Sequence, residues 1–383
     1  MIASTAAVLT RFLAALFAAC ALLAARAAET VTPPPIAARA FIAVDLLSGQ
    51  TLAAGAESDR FEPGSLTKLM TAYLVFAAIH EDRLRMDTTV PVAERAVKAG
   101  GARMFVAPGT SVAVGDLLRG MIVQSANDAT LVLAAAVEPD EARFVERMNR
   151  QAERLGLAGT RYVNPTGQPA AGHYTTARDV ATLAAALIRD FPTEYALYAQ
   201  REYTFNRMTQ GNRNRLLWAD PSVDGLQASF TESADYCLAA SARRGDRRVV
   251  SVIMGAQSDG LRTAETQKLL NFAFQAYDTR RLWRKGEPVA TLPIYKGTQR
   301  TAALGFDHDV WLTLPRDRFG GLSAVLETRQ PFVAPLAGGQ KAGIMKVMRD
   351  NAAVAEYPVV ALEDVPVAGF LSRGLDTLKL LFR

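Results

Sequence analysis

The sequence predicts an α+β protein followed by a small all-β domain, and three observations carry that prediction. A strand hairpin opens the fold, a long helical block follows it, and strands with a closing helix come after the block. Beyond about residue 286, short strands alternate with Pro and Gly clusters. Half of the 383 residues are hydrophobic and 21% are charged, enough apolar material for two folded domains and no compositional reason for disorder.

Ahead of the fold, residues 1–27 read as a cleaved export signal: Arg11, an apolar run over 12–25, and small residues at Ala25 and Ala27. The run is short for a transmembrane helix. Removing Arg11 and Arg26 with the leader lowers the formal charge from +5 to +3, too slight a bias for a nucleic-acid partner. One cysteine, Cys237, then remains. Its apolar neighbours predict a buried strand residue without an internal disulfide.

Residues 40–45 read as a strand, and the turn 46–50 leads into a second strand at 51–53. A helix is predicted over 65–80, where Leu66, Leu69, Met70, Tyr73, Leu74 and Ala77 fall at helical spacing. Further helical segments are expected at 113–125, 141–155 and 176–190, the last capped by Thr175 or Thr176. Strands at 237–240 and 248–256 and a helix at 263–277 complete a mixed sheet with a helical subdomain inserted between its edges. Short strands at 310–314, 322–327, 343–348 and 357–362 predict the all-β domain. Residues 367–383 place Phe370, Leu371, Leu375, Leu378 and Phe382 on one helical face, opposite Arg373, Asp376, Lys379 and Arg383. Such a terminal helix suits a membrane interface. The expected domains are 28–283, 284–365 and the helix 366–383.

Chemistry concentrates at Ser65-Leu66-Thr67-Lys68, which follows Pro63-Gly64. At i and i+3 the hydroxyl and the amine share a helix face, so Lys68, with its pKa lowered, can activate Ser65 as a nucleophile. The helix N-terminus favours a developing oxyanion, and the Ser65 N–H is expected to be free to donate to it. Some 60 residues on, Ser125-Ala126-Asn127 sets a hydroxyl and an amide side by side, to relay a proton and hold a substrate amide. His80, His173 and His308 are scattered, without metal-ligand spacing; each is expected at the surface or as a cap. Neither a metal nor another cofactor is expected.

With those motifs in order, the chain resembles the low-molecular-weight penicillin-binding proteins of the serine D-alanyl-D-alanine carboxypeptidase family, close to the penicillin-binding protein 5/6 branch. The likeness runs over nearly the whole chain. It includes Gly64-Ser65-Leu66-Thr67-Lys68-Leu69-Met70-Thr71, Gln124-Ser125-Ala126-Asn127-Asp128-Ala129, Asn164-Pro165-Thr166-Gly167, Asn212-Arg213-Asn214 and Val223-Asp224-Gly225. The resemblance implies a transpeptidase-like domain of an antiparallel sheet flanked by helices, a C-terminal β domain and an amphipathic anchor. It implies a periplasmic enzyme on the inner-membrane surface that trims the terminal D-alanine of peptidoglycan pentapeptides and is open to β-lactams. Ser65 would be acylated, with Lys68 as base and Ser125 and Asn127 completing the relay.

One motif departs. Where the family has Lys-Thr-Gly, this chain has Gln227-Ala228-Ser229, then Phe230. The lost lysine would lie near the substrate carboxylate, and truncating one partner of a buried charge pair costs roughly 2–5 kcal/mol, about 30- to 4,000-fold in rate. Ala228 removes a hydroxyl, and Ser229 adds a side chain where the substrate strand approaches. Arg213 and Arg262 match family positions near the carboxylate pocket and are expected to replace part of the charge; the Phe230 N–H is expected as the second oxyanion donor. Two readings follow: an acyl-transfer enzyme with reduced or altered activity, or an inactive relative that binds peptidoglycan or a cell-wall partner. A class A β-lactamase shares the first two motifs but lacks the β domain and terminal helix.

Overall fold

The computed structural model describes residues 31–381, so the predicted leader lies outside the described residues. The chain divides into two compact units, Thr32–Gln275 and the chain from Ala276 onward. The division precedes the change of texture at Gly286, because strand-forming residues begin directly after the last helix of the first unit.

The first unit is built on a five-stranded antiparallel sheet. Its strands are β1 (Ala40–Asp45), β2 (Thr51–Gly55), β3 (Val223–Thr231), β4 (Asp235–Arg244) and β5 (Arg247–Ala256), in the order β2-β1-β5-β4-β3. β4 and β5 each carry six or more consecutive buried residues, as expected for strands covered on both faces. Cys237 is among them, 1% exposed, as its neighbours predict. β3 is one of the two edge strands, β2 the other. Between β2 and β3 come the helices α1 (Lys68–His80), α2 (Val114–Gln124), α3 (Asn127–Val137), α4 (Glu141–Arg154) and α5 (Ala177–Asp190); α6 (Asp259–Ala276) closes the unit. The inserted helical block is therefore present as predicted.

α1 is the central helix: ten of its thirteen residues are buried, so it is apolar on all sides rather than on one stripe. Its entry is tighter than an α-helix. Gly64–Thr67 form a 3-10 turn, and the α-helix proper starts at Lys68. The predicted caps of α5 resolve in favour of Thr176, whose Oγ1 accepts the Asp179 N–H at 3.1 Å.

Among the described residues, the second unit is all-β apart from a 3-10 turn at Arg316–Arg318 and its last helix. Its strands are β6 (Tyr277–Trp283), β7 (Ala290–Tyr295), β8 (Thr301–Gly305), β9 (Val310–Pro315), β10 (Ser323–Thr328), β11 (Phe332–Val333), β12 (Lys341–Arg349) and β13 (Ala352–Ala361). They form a six-stranded sheet β10-β12-β13-β8-β7-β11 and a pair β6-β9. The core is small, centred on Leu304, Phe306 and Val359. The final helix, α7 (Phe370–Leu381), follows. Phe370 is 88% exposed, an apolar side chain left in solvent at its start, while Asp376 accepts the Lys296 N–H at 2.7 Å. Phe382 and Arg383 of the predicted amphipathic face lie outside the described residues. Among the described residues, no helix is long and apolar enough to cross a membrane.

Candidate active site

Three segments converge on one cleft of about 1570 Å³ in the first unit: the turn that starts α1, the α2–α3 junction and the outer edge of β3. Ser65, Ser125, Asn127, Arg213, Ala228, Ser229, Phe230 and Arg262 all line it. Lys68 and Gln227 lie behind these, each 1% exposed.

Lys68 Nζ is 3.2 Å from Ser65 Oγ and donates to the Thr166 carbonyl at 2.6 Å. Burial on the apolar helix α1 removes water from the ammonium form and lowers the Lys68 pKa from 10.5 to about 7. A neutral Nζ can then accept the Ser65 proton along the same line. The Thr166 carbonyl is itself fixed locally. Asn164 Oδ1 accepts the N–H groups of Thr166 at 3.2 Å and Gly167 at 2.8 Å, a turn that Asn-Pro-x-Gly encodes. Gly167 has φ +86, and a Cβ there would strike the Gly64 carbonyl oxygen at 1.7 Å; only glycine lets this turn pack against the residue before Ser65.

The α2–α3 junction holds Ser125 in the left-handed region, φ 65. Ser125 Oγ accepts from Gln227 Nε2 at 2.7 Å. Asn127 Nδ2 donates to the Gly100 carbonyl at 2.7 Å. Asp128, 1% exposed, accepts the N–H groups of Met104, Phe105 and Val106 at 3.0, 2.9 and 3.2 Å. It thereby clamps the loop behind Gly101 and Ala102, both of which line the cleft.

The start of β3 is pinned by charge. Arg248 donates to both Asp224 oxygens at 2.6 and 2.7 Å, and Asn214 Nδ2 donates to the Gly225 carbonyl at 2.8 Å. Gln227 is hydrogen-bonded but neutral, and its Oε1 is buried without a partner.

The structure corrects two sequence expectations. The Ser65 N–H is not free: it donates to Ser229 Oγ at 2.8 Å. Arg262 lines the cleft with its guanidinium partly engaged: it donates to the carbonyls of Ser229 at 2.7 Å and Cys237 at 3.3 Å and pairs with Asp259. Arg213 is exposed and lines the cleft as well, beside Arg215. His173 is not at the surface; it is 4% exposed and its Nε2 lies 3.1 Å from Thr67 Oγ1, one residue before Lys68. Burial lowers its imidazole to about 4, so it braces the turn as a neutral ring. Sequence reasoning missed the contributions of Thr166 and Asp128, although both lie inside quoted motifs; the Asn-Pro-Thr-Gly turn signal was the usable clue. Among the described residues, no group of three or more His, Cys, Asp or Glu could hold a metal.

Residues 27–258 match the family model for D-alanyl-D-alanine carboxypeptidase, and residues 277–367 match that for the penicillin-binding protein 5 C-terminal domain. The chain is 36% identical over 364 residues to D-alanyl-D-alanine carboxypeptidase DacC of Escherichia coli, covering 93% of this chain and 91% of that one. It is 33% identical to DacF of Bacillus subtilis, covering 88% and 87%. Among solved structures, penicillin binding protein 5 from Haemophilus influenzae superposes with a TM-score of 0.85 at 35% identity, over 88% of this chain and 99% of that one. Penicillin-Binding Protein D2 from Listeria monocytogenes in its ampicillin-bound form gives 0.59 at 27% identity, over 64% of this chain and all of that one. The chain belongs to the D-alanyl-D-alanine carboxypeptidase family, in its penicillin-binding protein 5-like form with a C-terminal β domain.

Proposed function

We propose that this protein is an attenuated serine D-alanyl-D-alanine carboxypeptidase that acts on peptidoglycan stem peptides through an acyl-enzyme on Ser65. The observation that carries the reading is the buried Lys68 amine, set 3.2 Å from Ser65 Oγ with its pKa brought down to about 7. In the proposed reaction Ser65 Oγ attacks the carbonyl carbon of the penultimate D-alanine and its proton passes to Lys68. The amide C–N bond breaks, and the terminal D-alanine leaves as an amine after taking a proton. Water then hydrolyses the ester, freeing Ser65 and the shortened peptide.

The attenuation follows from Gln227, Ala228 and Ser229. No side chain of that strand segment offers a cation to the substrate carboxylate, which would have to rely on the arginines lining the cleft, Arg213, Arg215 and Arg262. β-Lactams, which acylate the same kind of serine and are bound in the ampicillin form of the Listeria relative, are expected to react slowly. For location we infer a periplasmic protein held on the inner-membrane surface by α7. The leader composition and the exposed Phe370 support that placement.

A second reading, an inactive peptidoglycan-binding relative, is favoured by one observation: the Ser65 N–H is already hydrogen-bonded to Ser229. Incubating the purified protein and Ser65→Ala with a fluorescent penicillin separates the two. Labelling of the wild type alone supports the enzyme. If prolonged exposure labels neither protein, and Gln227→Lys/Ala228→Thr/Ser229→Gly also stays dark, the acyl-enzyme reading fails.

A further inference from the structure

We propose that the Ser229 hydroxyl is a built-in occupant of the oxyanion position, so that the cleft is self-capped and reacts only when this side chain swings away. The inference deepens the reading above and rests on it for its kinetic consequences. Four observations point the same way. Ser229 Oγ accepts the Ser65 N–H at 2.8 Å, the donor that an acyl-transfer centre keeps for the carbonyl oxygen of its substrate. The same hydroxyl donates to the Pro63 carbonyl at 3.0 Å, which fixes its rotamer and aims its lone pair at the amide. Ser229 is 5% exposed, so water competes little for either bond. Finally, the Pro63-Gly64-Ser65 turn accommodates it: Gly64 has φ +49, and a Cβ at that position would come within 2.3 Å of Ser229 Oγ.

A substrate carbonyl oxygen and Ser229 Oγ need the same N–H, so one excludes the other. To expose the donor, Ser229 must give up two hydrogen bonds, each contributing about 0.5–1.5 kcal/mol net. That corresponds to roughly a 5- to 150-fold lower population of the receptive state. Ser229 is thus a positioning residue acting against catalysis. The effect is separate from the charge lost at Gln227, and it is separate from steric crowding by the Ser229 Cβ. It also gives selectivity, because a ligand must bind tightly enough elsewhere in the cleft to displace the hydroxyl.

The test uses the full mature chain with Ser229→Ala and Ser229→Gly. The second-order rate of acylation by a fluorescent penicillin is measured, together with the exchange rate and chemical shift of the Ser65 amide in protein labelled with ¹⁵N-serine. Self-capping predicts that Ser229→Ala alone raises acylation roughly 5- to 150-fold, that Ser229→Gly adds little more, and that the Ser65 amide exchanges faster in both. A gain confined to Ser229→Gly would assign the block to Cβ bulk and overturn the proposal. So would acylation unchanged in both variants. If no variant acylates, the enzymatic reading fails and the amide decides the rest. Faster exchange in Ser229→Ala would uphold the occupancy, and an unchanged Ser65 amide would refute it.

Discussion

Replacing Lys68 by Met tests how burial shapes the proposed base of Ser65. In the folded chain the Lys68 pKa is about 7, against 10.5 for the unperturbed side chain. The difference amounts to about 5 kcal/mol of unfavourable free energy when the folded protein must protonate the buried amine. The sign follows from proton counting. Between about pH 7 and 10.5 the unfolded state binds the Lys68 proton and the folded state does not, so stability rises with pH across that window. Below about pH 7 both states carry the proton and the penalty is constant. Lys68→Met removes the titration altogether. It also loses the bonds to Thr166 and Ser65, a cost that does not depend on pH. The stability of the Met variant relative to wild type should therefore fall by about 3 kcal/mol between roughly pH 6.5 and 9.5, whatever the absolute offset. Urea-dependent hydrogen exchange of the α1 peptides reports the unit that holds Lys68. A difference that stays constant over this range would mean that Lys68 titrates as an ordinary lysine, and the base assignment would lose its physical footing.

Three further outcomes are expected. Acylation by a penicillin should rise about tenfold per pH unit below pH 7 and level off above it, as Lys68 becomes neutral; a stopped-flow or gel-based pH profile that is flat from 5.5 to 8 would contradict this. Asp128→Ala strands the N–H groups of Met104, Phe105 and Val106, so it should cost on the order of 3 kcal/mol in a urea melt. A loss below about 0.5 kcal/mol would show that the clamp is redundant. Deleting residues 367–383 should move the protein from sedimented anionic vesicles to the supernatant, and an unchanged distribution would remove α7 as the anchor.

Much of the fold was legible because the strongest signals were local. The alternation and turn at 40–53, the apolar spacing of α1 and the Thr176 cap each depend on neighbours in sequence. The strands at 277–283, 290–295 and 301–305 carry short patterns without strong turn signals; the first pairs with residues 310–315, and the other two pair with each other. The site divided in the same way. Ser65 and Lys68 are one turn apart, so their meeting could be predicted from spacing. The hydrogen bond between Ser65 and Ser229 spans 164 residues, and the sequence offered only the substitution itself, not the direction its hydroxyl would take. The partners of Arg262 are also distant in sequence: its place in the cleft could be expected, but its bonds to the Ser229 and Cys237 carbonyls could not.

In the proposed reaction Ser65, activated by Lys68, transfers the acyl group of a D-alanyl-D-alanine peptide. Release of D-alanine from a synthetic stem pentapeptide, followed by a coupled D-amino-acid assay over many hours at pH 8, tests it most directly. Slow release is expected from the wild type, faster release from Ser229→Ala, and none from Ser65→Ala or Lys68→Met. Wild-type release that does not exceed that of Ser65→Ala would contradict it.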